Sequence, residues 1–265
     1  MPALALMYHD VAPAGEAAAT GFHGPGADRY KLTPEAFARH LDVVAASELR
    51  PELVTAPGDQ SGRLFLTFDD GGRSASSTIG PMLEERSWRG HFFVTTGRIG
   101  TPGFVSASDV VDLHSAGHVI GSHSHTHPVL TRLSDTEIAA EWRRSKTILE
   151  DAVGSPVTTL SIPTGYYSPR VGRVAVELGY RYVFTSQPSI RPRPLGEGTA
   201  YGRFAVTAAT PAAQIEALCR LSGTAILRRA VAWEARRLAK AALGPGYGAL
   251  RRAILERAPA RRSSS

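Results

Sequence analysis

Seven short β-type runs, Ala3–Tyr8, Leu64–Phe68, His91–Thr95, Val119–Ser122, Thr158–Ile162, Tyr182–Thr185 and Arg203–Val206, are separated by stretches of helical patterning. No other feature restricts the fold of this chain as strongly. Strands that alternate with helices pair in parallel, either in an open doubly wound sheet or in a barrel, and seven of them favour barrel-like closure. Two helix starts are well marked. Thr33-Pro34-Glu35 precedes Phe37, Leu41 and Val44, and Ser134-Asp135 precedes Ile138, Trp142 and Leu149, each a hydroxyl cap ahead of a helix-compatible first turn. The Gly- and Ala-rich stretch Ala12–Tyr30 is long enough for a functional lid or a mobile insertion. A chain of 265 residues can bury one sizeable core with a small appendage. The expected division is an α/β unit over 1–222 and a helical extension over 223–265.

In α/β barrels, chemistry sits in the loops after the carboxyl ends of strands. That rule selects Asp69-Asp70 after LFLTF, the cluster HSHTHP at 123–128 after HVIGS, and Pro163-Thr164-Gly165 after TTLSI. His123 and His127 are four apart and would share one side of a helical turn, whereas His123, His125 and His127 would share a face of an extended strand. Pro128 biases His127 away from helical torsions, so spacing leaves both pairings open. Two imidazoles and a carboxylate make a three-ligand site suited to zinc or a similar divalent ion. The adjacent aspartates cannot both point the same way in extended chain, so one is free to face an ion while the other serves as a base. Separately, an Asp-Asp pair after a strand is commonly a turn or a cap, and a histidine cluster in a loop is often only solvated. It is their coincidence on neighbouring strand ends that points to a metal site.

TFDDG at Thr67–Gly71 and HSHTHP at His123–Pro128 resemble the first two signature motifs of the polysaccharide deacetylase family, also called carbohydrate esterase family four, and the similarity runs from LMYHDV to about Val206. The resemblance implies a distorted seven-stranded (β/α) barrel. It implies Asp69 as general base and Asp70, His123 and His127, rather than His125, as ligands of a divalent metal such as Zn2+. The implied reaction is hydrolysis of an acetyl or formyl group from an N-acylated amino sugar.

Two of the family's features are missing. Its third motif, Arg-x-Pro-Tyr, carries an arginine that orients the base, but LSIPTG puts Ser161 at that position and Thr164 at the tyrosine position. The backbone N–H of Thr164 could still serve an oxyanion, which needs no side chain. The orienting charge must then come from elsewhere, with Arg203 and Arg170 as candidates, and Arg203 together with Tyr166 is a candidate contact for the sugar. The final Leu-x-His motif, source of the general acid, is not recognisable after Arg203. His9, at the end of the first strand beside Asp10, is the candidate to replace it, because an acidic neighbour could orient it or raise its pKa. His91 opens a strand and is expected to be buried or at the wrong end.

The net charge of +6 belongs to the end of the chain: Ile226–Arg262 holds ten Lys or Arg against two acids, and the remainder 20 basic and 22 acidic residues. Two amphipathic patterns flank Gly244-Pro245-Gly246. One aligns Leu227, Val231 and Leu238, the other Tyr247, Leu250, Ile254 and Leu255, among arginines. Such helices suit either an anionic membrane surface, contacted through residues 224–262, or packing on the barrel. Basicity confined to the tail, with no aromatic stacking array, argues against nucleic acid. A single cysteine, Cys219, excludes an internal disulfide, and the opening MPALALMYHD lacks the basic leader of a secretory signal. The expectation is therefore a cytoplasmic enzyme meeting a lipid-linked or precursor glycan at the inner face of the membrane. Competing expectations are a deacylase of a non-sugar linear amide and a sugar-binding pseudoenzyme that keeps the metal cradle.

Overall fold

The computed structural model describes residues 2–58 and 62–243. Among them, one sheet holds ten strands: β1 (Leu4–Tyr8), β2 (Arg50–Pro51), β3 (Arg63–Phe68), β4 (His91–Val94), β5 (Val119–Ser122), β6 (Thr159–Ser161), β7 (Tyr182–Phe184), β8 (Arg193–Leu195), β9 (Gly198–Tyr201) and β10 (Phe204–Ala205). The helices are α1 (Pro25–Asp28), α2 (Pro34–Ala45), α3 (Gly80–Glu84), α4 (Ala107–Ser115), α5 (Asp135–Val153), α6 (Pro169–Glu177), α7 (Ala212–Cys219) and α8 (Gly223–Leu243). All seven β-type runs are strands, and both marked helix starts are caps. Thr33 accepts from the Ala36 N–H, and Ser134 and Glu137 form a reciprocal capping box.

The strands β1, β3, β4, β5, β6 and β7 pair in parallel in that order. The seventh stave has two parts. β9 pairs with β7 through Val183↔Ala200, and after Gly202 and Arg203 the chain continues as β10, which pairs with β1 through Leu6↔Phe204. One nearly continuous segment thus joins the two edges of the sheet and closes a distorted (β/α)7 barrel. Gly202 permits the crossing, since a Cβ there would stand 2.4 Å from the Gln187 carbonyl oxygen. β2, β8 and β9 had no strong β signature in the sequence. Two of them hold only two or three residues with a proline, and β8 is the one antiparallel strand, at the sheet edge where proline is tolerated.

Strand parity sorts the side chains. Leu4, Leu6, Leu64, Leu66, Phe92, Ile120, Leu160, Val183 and their neighbours pack outward beneath the helices, while Ala3, Ala5, Phe65, Phe93, Phe184 and Tyr201 fill the barrel. Continuing the inward parity one step past each strand reaches His9, Asp69, His123 and Arg203, so the alternation that fills the core also aims polar groups at the upper mouth. His91, on the same inward parity lower down, is fully buried. Its two ring nitrogens are taken by the Val54 N–H and the Leu66 carbonyl, and burial pushes its pKa to about 4. It is a core histidine.

The expected lid, Ala12–Tyr30, is fastened down. The Lys31 ammonium donates to the Ala17 and Phe22 carbonyls at 2.6 Å each and pairs with Asp28 at 3.0 Å, while the Gly21 N–H donates to the Gly103 carbonyl. α8 begins at Gly223 and packs against α7, with Arg229 donating to the Ala205 carbonyl at the end of β10. The second amphipathic pattern of the tail lies outside the described residues. No helix among the described residues is long and apolar enough to cross a membrane.

Candidate active site

Asp69 and Asp70 follow β3, and their side chains diverge because the backbone changes hand between them. Asp69 continues the inward strand parity, whereas Asp70 has φ 78°. His123 follows β5, and the chain then turns through two further left-handed residues, Ser124 at φ 63° and His127 at φ 62°. Non-glycine residues in this region each cost on the order of 1–3 kcal/mol and persist where surrounding contacts over-determine them. Those contacts are present. Ser122 Oγ accepts from the Ser124 N–H and Ser124 Oγ from the His127 N–H. Glu141, from α5, accepts the N–H groups of His125 and Thr126 at 2.9 and 2.8 Å and the Thr126 hydroxyl at 2.7 Å.

The turn brings three donors together. His123 Nε2 and His127 Nε2 stand 3.3 and 3.5 Å from Asp70 Oδ1, and the donor atoms of Asp70, His123 and His127 lie within 4.8 Å of one another. His123 Nδ1 is 3.0 Å from the Ser161 carbonyl, an acceptor, which fixes the proton there and turns the Nε2 lone pair toward Asp70. Burial, helped by the neighbouring His123, pushes His127 down to about 4, so its imidazole is neutral and able to ligate at neutral pH. For His123, burial acts downward, but Asp69 and Asp70 more than offset it and raise the pKa; a proton held there must leave when a cation enters. Asp70 is held far below the usual carboxylate range: burial raises it, and the His123 hydrogen bond with His9 and His127 outweighs that. A buried N2O set with one lone pair per residue facing a common point fits a divalent cation. His125 bonds instead to Thr96 Oγ1 at 3.0 Å.

Asp69 is gripped from a different strand. Arg203 Nη1 donates to Asp69 Oδ1 at 2.7 Å and Nη2 to Oδ2 at 2.8 Å. The same guanidinium donates to Thr67 Oγ1, Ser161 Oγ and the Thr185 carbonyl, so five N–H donors meet five acceptors. It also lies 5.7 and 5.9 Å from the Phe93 and Phe184 ring centroids. Ser161 Oγ in turn donates to Asp69 Oδ2 at 3.1 Å. Burial alone would raise the Asp69 pKa, but the Arg203 charge, then His123, holds it below the usual carboxylate range.

The expected positions divide accordingly. Arg203 is fully buried and its donors are filled, so it cannot contact a sugar, and the reading of it as a substrate contact is corrected to that of the group orienting Asp69. Arg170 pairs with Asp135 and donates to the Leu133 carbonyl on the outside of the barrel, and so does not orient the base. Asp10 does not orient His9. Its buried carboxylate accepts from Thr20 Oγ1 at 2.6 Å and Ser74 Oγ at 2.7 Å, and it is packed so closely that a Cβ on Gly21 or Gly72 would lie 2.1 or 2.0 Å from its oxygens. Asp10 therefore clamps the Ala12–Tyr30 segment to the loop after β3. His9 stacks on Tyr30 with centroids 4.5 Å apart, leaves Nδ1 buried without a partner, and is close enough to favour the ionised forms of both Asp69 and Asp70. Thr164 is exposed on the rim at φ 61°, three residues beyond Ser161, and Tyr166 is half-buried beside it. Glu141, Asp10 and Phe22, whose ring lies 4.8 Å from that of His127, belong to the site without any local pattern in the sequence to mark them.

The family model described as polysaccharide deacetylase matches residues 57–183. A chitin deacetylase of Arthroderma benhamiae is 30% identical over 125 residues, 46% of this chain and 33% of the relative. The peptidoglycan-N-acetylglucosamine deacetylase PgdA of Listeria monocytogenes is 31% identical over 154 residues, 57% of this chain and 31% of its own. The chain thus spans about a third of the length of these relatives. Among solved structures, IcaB from Ammonifex degensii superposes with a TM-score of 0.65 at 23% identity, covering 81% of this chain and 97% of that one. The polysaccharide deacetylase BC0361 from Bacillus cereus gives 0.68 at 18%, covering 83% and 69%. These two show the fold.

Zinc titrated calorimetrically should bind at one ion per chain to the unaltered protein and to His125→Ala. His123→Ala and His127→Ala should each lose about two orders of magnitude or more in affinity. An equal loss in His125→Ala would contradict the ligand set.

Proposed function

We propose, from the premise that this chain belongs through residues 57–183 to the polysaccharide deacetylase family, that it hydrolyses the N-acyl group, acetyl or formyl, of an amino sugar in a glycan or glycan precursor. The observation that carries the reading is the pair of divergent aspartates, one facing two imidazoles and the other locked to a buried arginine. Asp70, His123 and His127 would hold the divalent ion, and their N2O set favours zinc. Such an ion, when bound, polarises the acyl carbonyl and acidifies water.

The remaining work falls to the chain. Asp69, kept ionised by Arg203, accepts the proton of the attacking water. Its Oδ2 already takes bonds from Arg203 and Ser161, but Oδ1 takes one from Arg203 and retains a lone pair. The Thr164 N–H serves the oxyanion that forms on the acyl oxygen as water adds to the acyl carbon, and Tyr166 contacts the sugar. His9, at the end of β1 and close to both aspartates, donates a proton to the departing amine. The missing motif arginine was the first reason to consider a pseudoenzyme, and Arg203 removes that reason by supplying the charge from β10's side of the barrel.

The same reading assigns the catalytic unit to 1–222 and gives the extension 223–265 to an anionic membrane on the cytoplasmic side, where the substrate is lipid-linked. What supports it is α8, on which Leu227, Val231 and Leu238 are 61%, 59% and 55% exposed along one stripe. Arg228 and Arg236 are exposed beside them, and the acid on the stripe, Glu234, is paired with Arg237. Apolar side chains flanked by cations suit a surface of anionic headgroups. The middle of α8 lies against Gln187 and Pro188, just beyond β7, so a membrane docked there would be close to the barrel mouth.

Two measurements follow. With zinc present, acetate or formate should be released from a panel of N-acylated amino sugars. Asp69→Asn should lower kcat about 10^2–10^4-fold with KM nearly unchanged, whereas saccharide binding without release across the panel would favour a pseudoenzyme. The protein should co-float with vesicles rich in phosphatidylglycerol, and Leu227→Ser, Val231→Ser and Leu238→Ser combined should leave it in the soluble fraction. Equal recovery of both forms in the soluble fraction would remove the membrane contact.

A further inference from the structure

The loop from Ser122 to His127 carries both imidazoles of the cation site, and two residues of α5 one helical turn apart reach it. Glu141 and Ser145 share a face of that helix. Ser145 Oγ meets Ser122 Oγ at 2.6 Å, and Ser122 Oγ accepts the Ser124 N–H, so this contact fixes the start of the loop. Glu141 holds its far side: Oε2 takes the His125 and Thr126 N–H groups at 2.9 and 2.8 Å, and Oε1 the Thr126 hydroxyl at 2.7 Å. Successive N–H groups in a turn make a concavity suited to an anion. Ile138, Trp142 and Ser145 are fully buried, so the helix that carries both contacts is anchored in the core.

The loop is also held from the segment after β4. The Thr96 N–H donates to the Ser124 carbonyl at 3.2 Å and the Gly97 N–H to the His125 carbonyl at 2.8 Å. A Cβ at Gly97 would stand 2.6 Å from that His125 oxygen, so glycine is what allows the close approach. With the His127 N–H on Ser124 Oγ, every backbone N–H from Ser124 to His127 has a partner. Water at the rim can replace the Glu141 carboxylate as an acceptor, but water is not tied to α5. What its loss removes is a constraint on a turn whose Ser124 and His127 hold left-handed torsions, at φ 63° and 62°, and so on the direction of the His127 ring.

We propose that Glu141 is a positioning residue of the cation site: its carboxylate preorganises the turn from His123 to His127 before an ion arrives, and thereby sets the affinity for that ion. This rests on the assignment of Asp70, His123 and His127 as ligands. The effect falls on retention of the metal, because the Glu141 oxygens are engaged by the turn and stand outside the three-residue donor cluster.

The test titrates zinc calorimetrically into the metal-free, full-length protein and compares Glu141→Ala, Glu141→Asp, Glu141→Gln and His127→Ala with the unaltered chain, with melting temperatures taken in the absence of metal. Aspartate keeps the charge but is one methylene short of the turn. Glutamine keeps the reach, offering one oxygen to both N–H groups and an N–H to the Thr126 hydroxyl. Glu141→Ala and Glu141→Asp should bind zinc about 10–100-fold more weakly, while Glu141→Gln stays within about three-fold of the unaltered protein. Alanine is favourable in a helix, so α5 should persist in the first variant; should that variant fail to fold, the aspartate and glutamine pair decides. Variants that lower only the metal-free melting temperature, with zinc affinity unchanged, mark a merely structural role and overturn the proposal. So does a glutamine variant that loses as much affinity as the aspartate one or more, since charge rather than reach would then be deciding. If His127→Ala keeps zinc while Glu141→Ala and Glu141→Asp lose it, the clamp stands and the ligand set falls.

Discussion

The buried contact between Arg203 and Asp69 is the constraint around which the upper barrel is arranged. Removing two charges from water is costly, and the cost is met only when geometry is good and every remaining donor is satisfied. Here the guanidinium bonds bidentately to the carboxylate and spends its other donors on Thr67, Ser161 and Thr185, which lie in or just beyond β3, β6 and β7. Arg203 itself lies between β9 and β10, in the stave that closes the barrel. A single side chain thus ties the closing stave to three others and fixes the rotation of the one carboxylate that can accept a proton beside the histidine pair.

The identity of residue 161 becomes intelligible in these terms. The arginine of the motif that LSIPTG departs from would enter from β6, and the same charge here enters from the stave between β9 and β10, leaving at 161 only a hydroxyl that accepts from Arg203 and donates to Asp69. An arginine at both positions would place two cations against the Asp69 carboxylate. Ser161 has a second function through its carbonyl, which orients His123. The base and the metal ligands consequently share one residue of β6, and a change there would be felt in both.

Much of the frame was legible because it rests on short-range pattern. The seven strands showed as apolar runs, and Asp69, Asp70, His123 and His127 stood in two compact motifs after strand ends. The contact of Arg203 with Asp69 spans 134 residues, and the sequence offered Arg203 and Arg170 as candidates for the missing cation without a means to choose between them. Inward parity carried past each strand end would have grouped His9, Asp69, His123 and Arg203, but it requires strand ends known to the residue. Asp10 misled for a different reason: adjacency to His9 suggested a partner, whereas consecutive residues of a strand face opposite ways, and Asp10 turns to Thr20 and Ser74. Glu141 carries no signal at all, being one acid among several on a long amphipathic helix until the HSHTHP loop is folded against it.

Because Arg203 holds the Asp69 pKa down, removing its charge should raise it, and activity that needs the carboxylate should then fail at higher pH as the medium is acidified. The decisive measurement is the acid limb of kcat/KM for N-acyl amino-sugar hydrolysis in three proteins: unaltered, Arg203→Ser, and Ser161→Arg with Arg203→Ser. The account predicts that Arg203→Ser moves the limb upward by about 1–3 pH units and that returning an arginine from β6 moves it back. A folded Arg203→Ser protein whose acid limb coincides with that of the unaltered enzyme would contradict it.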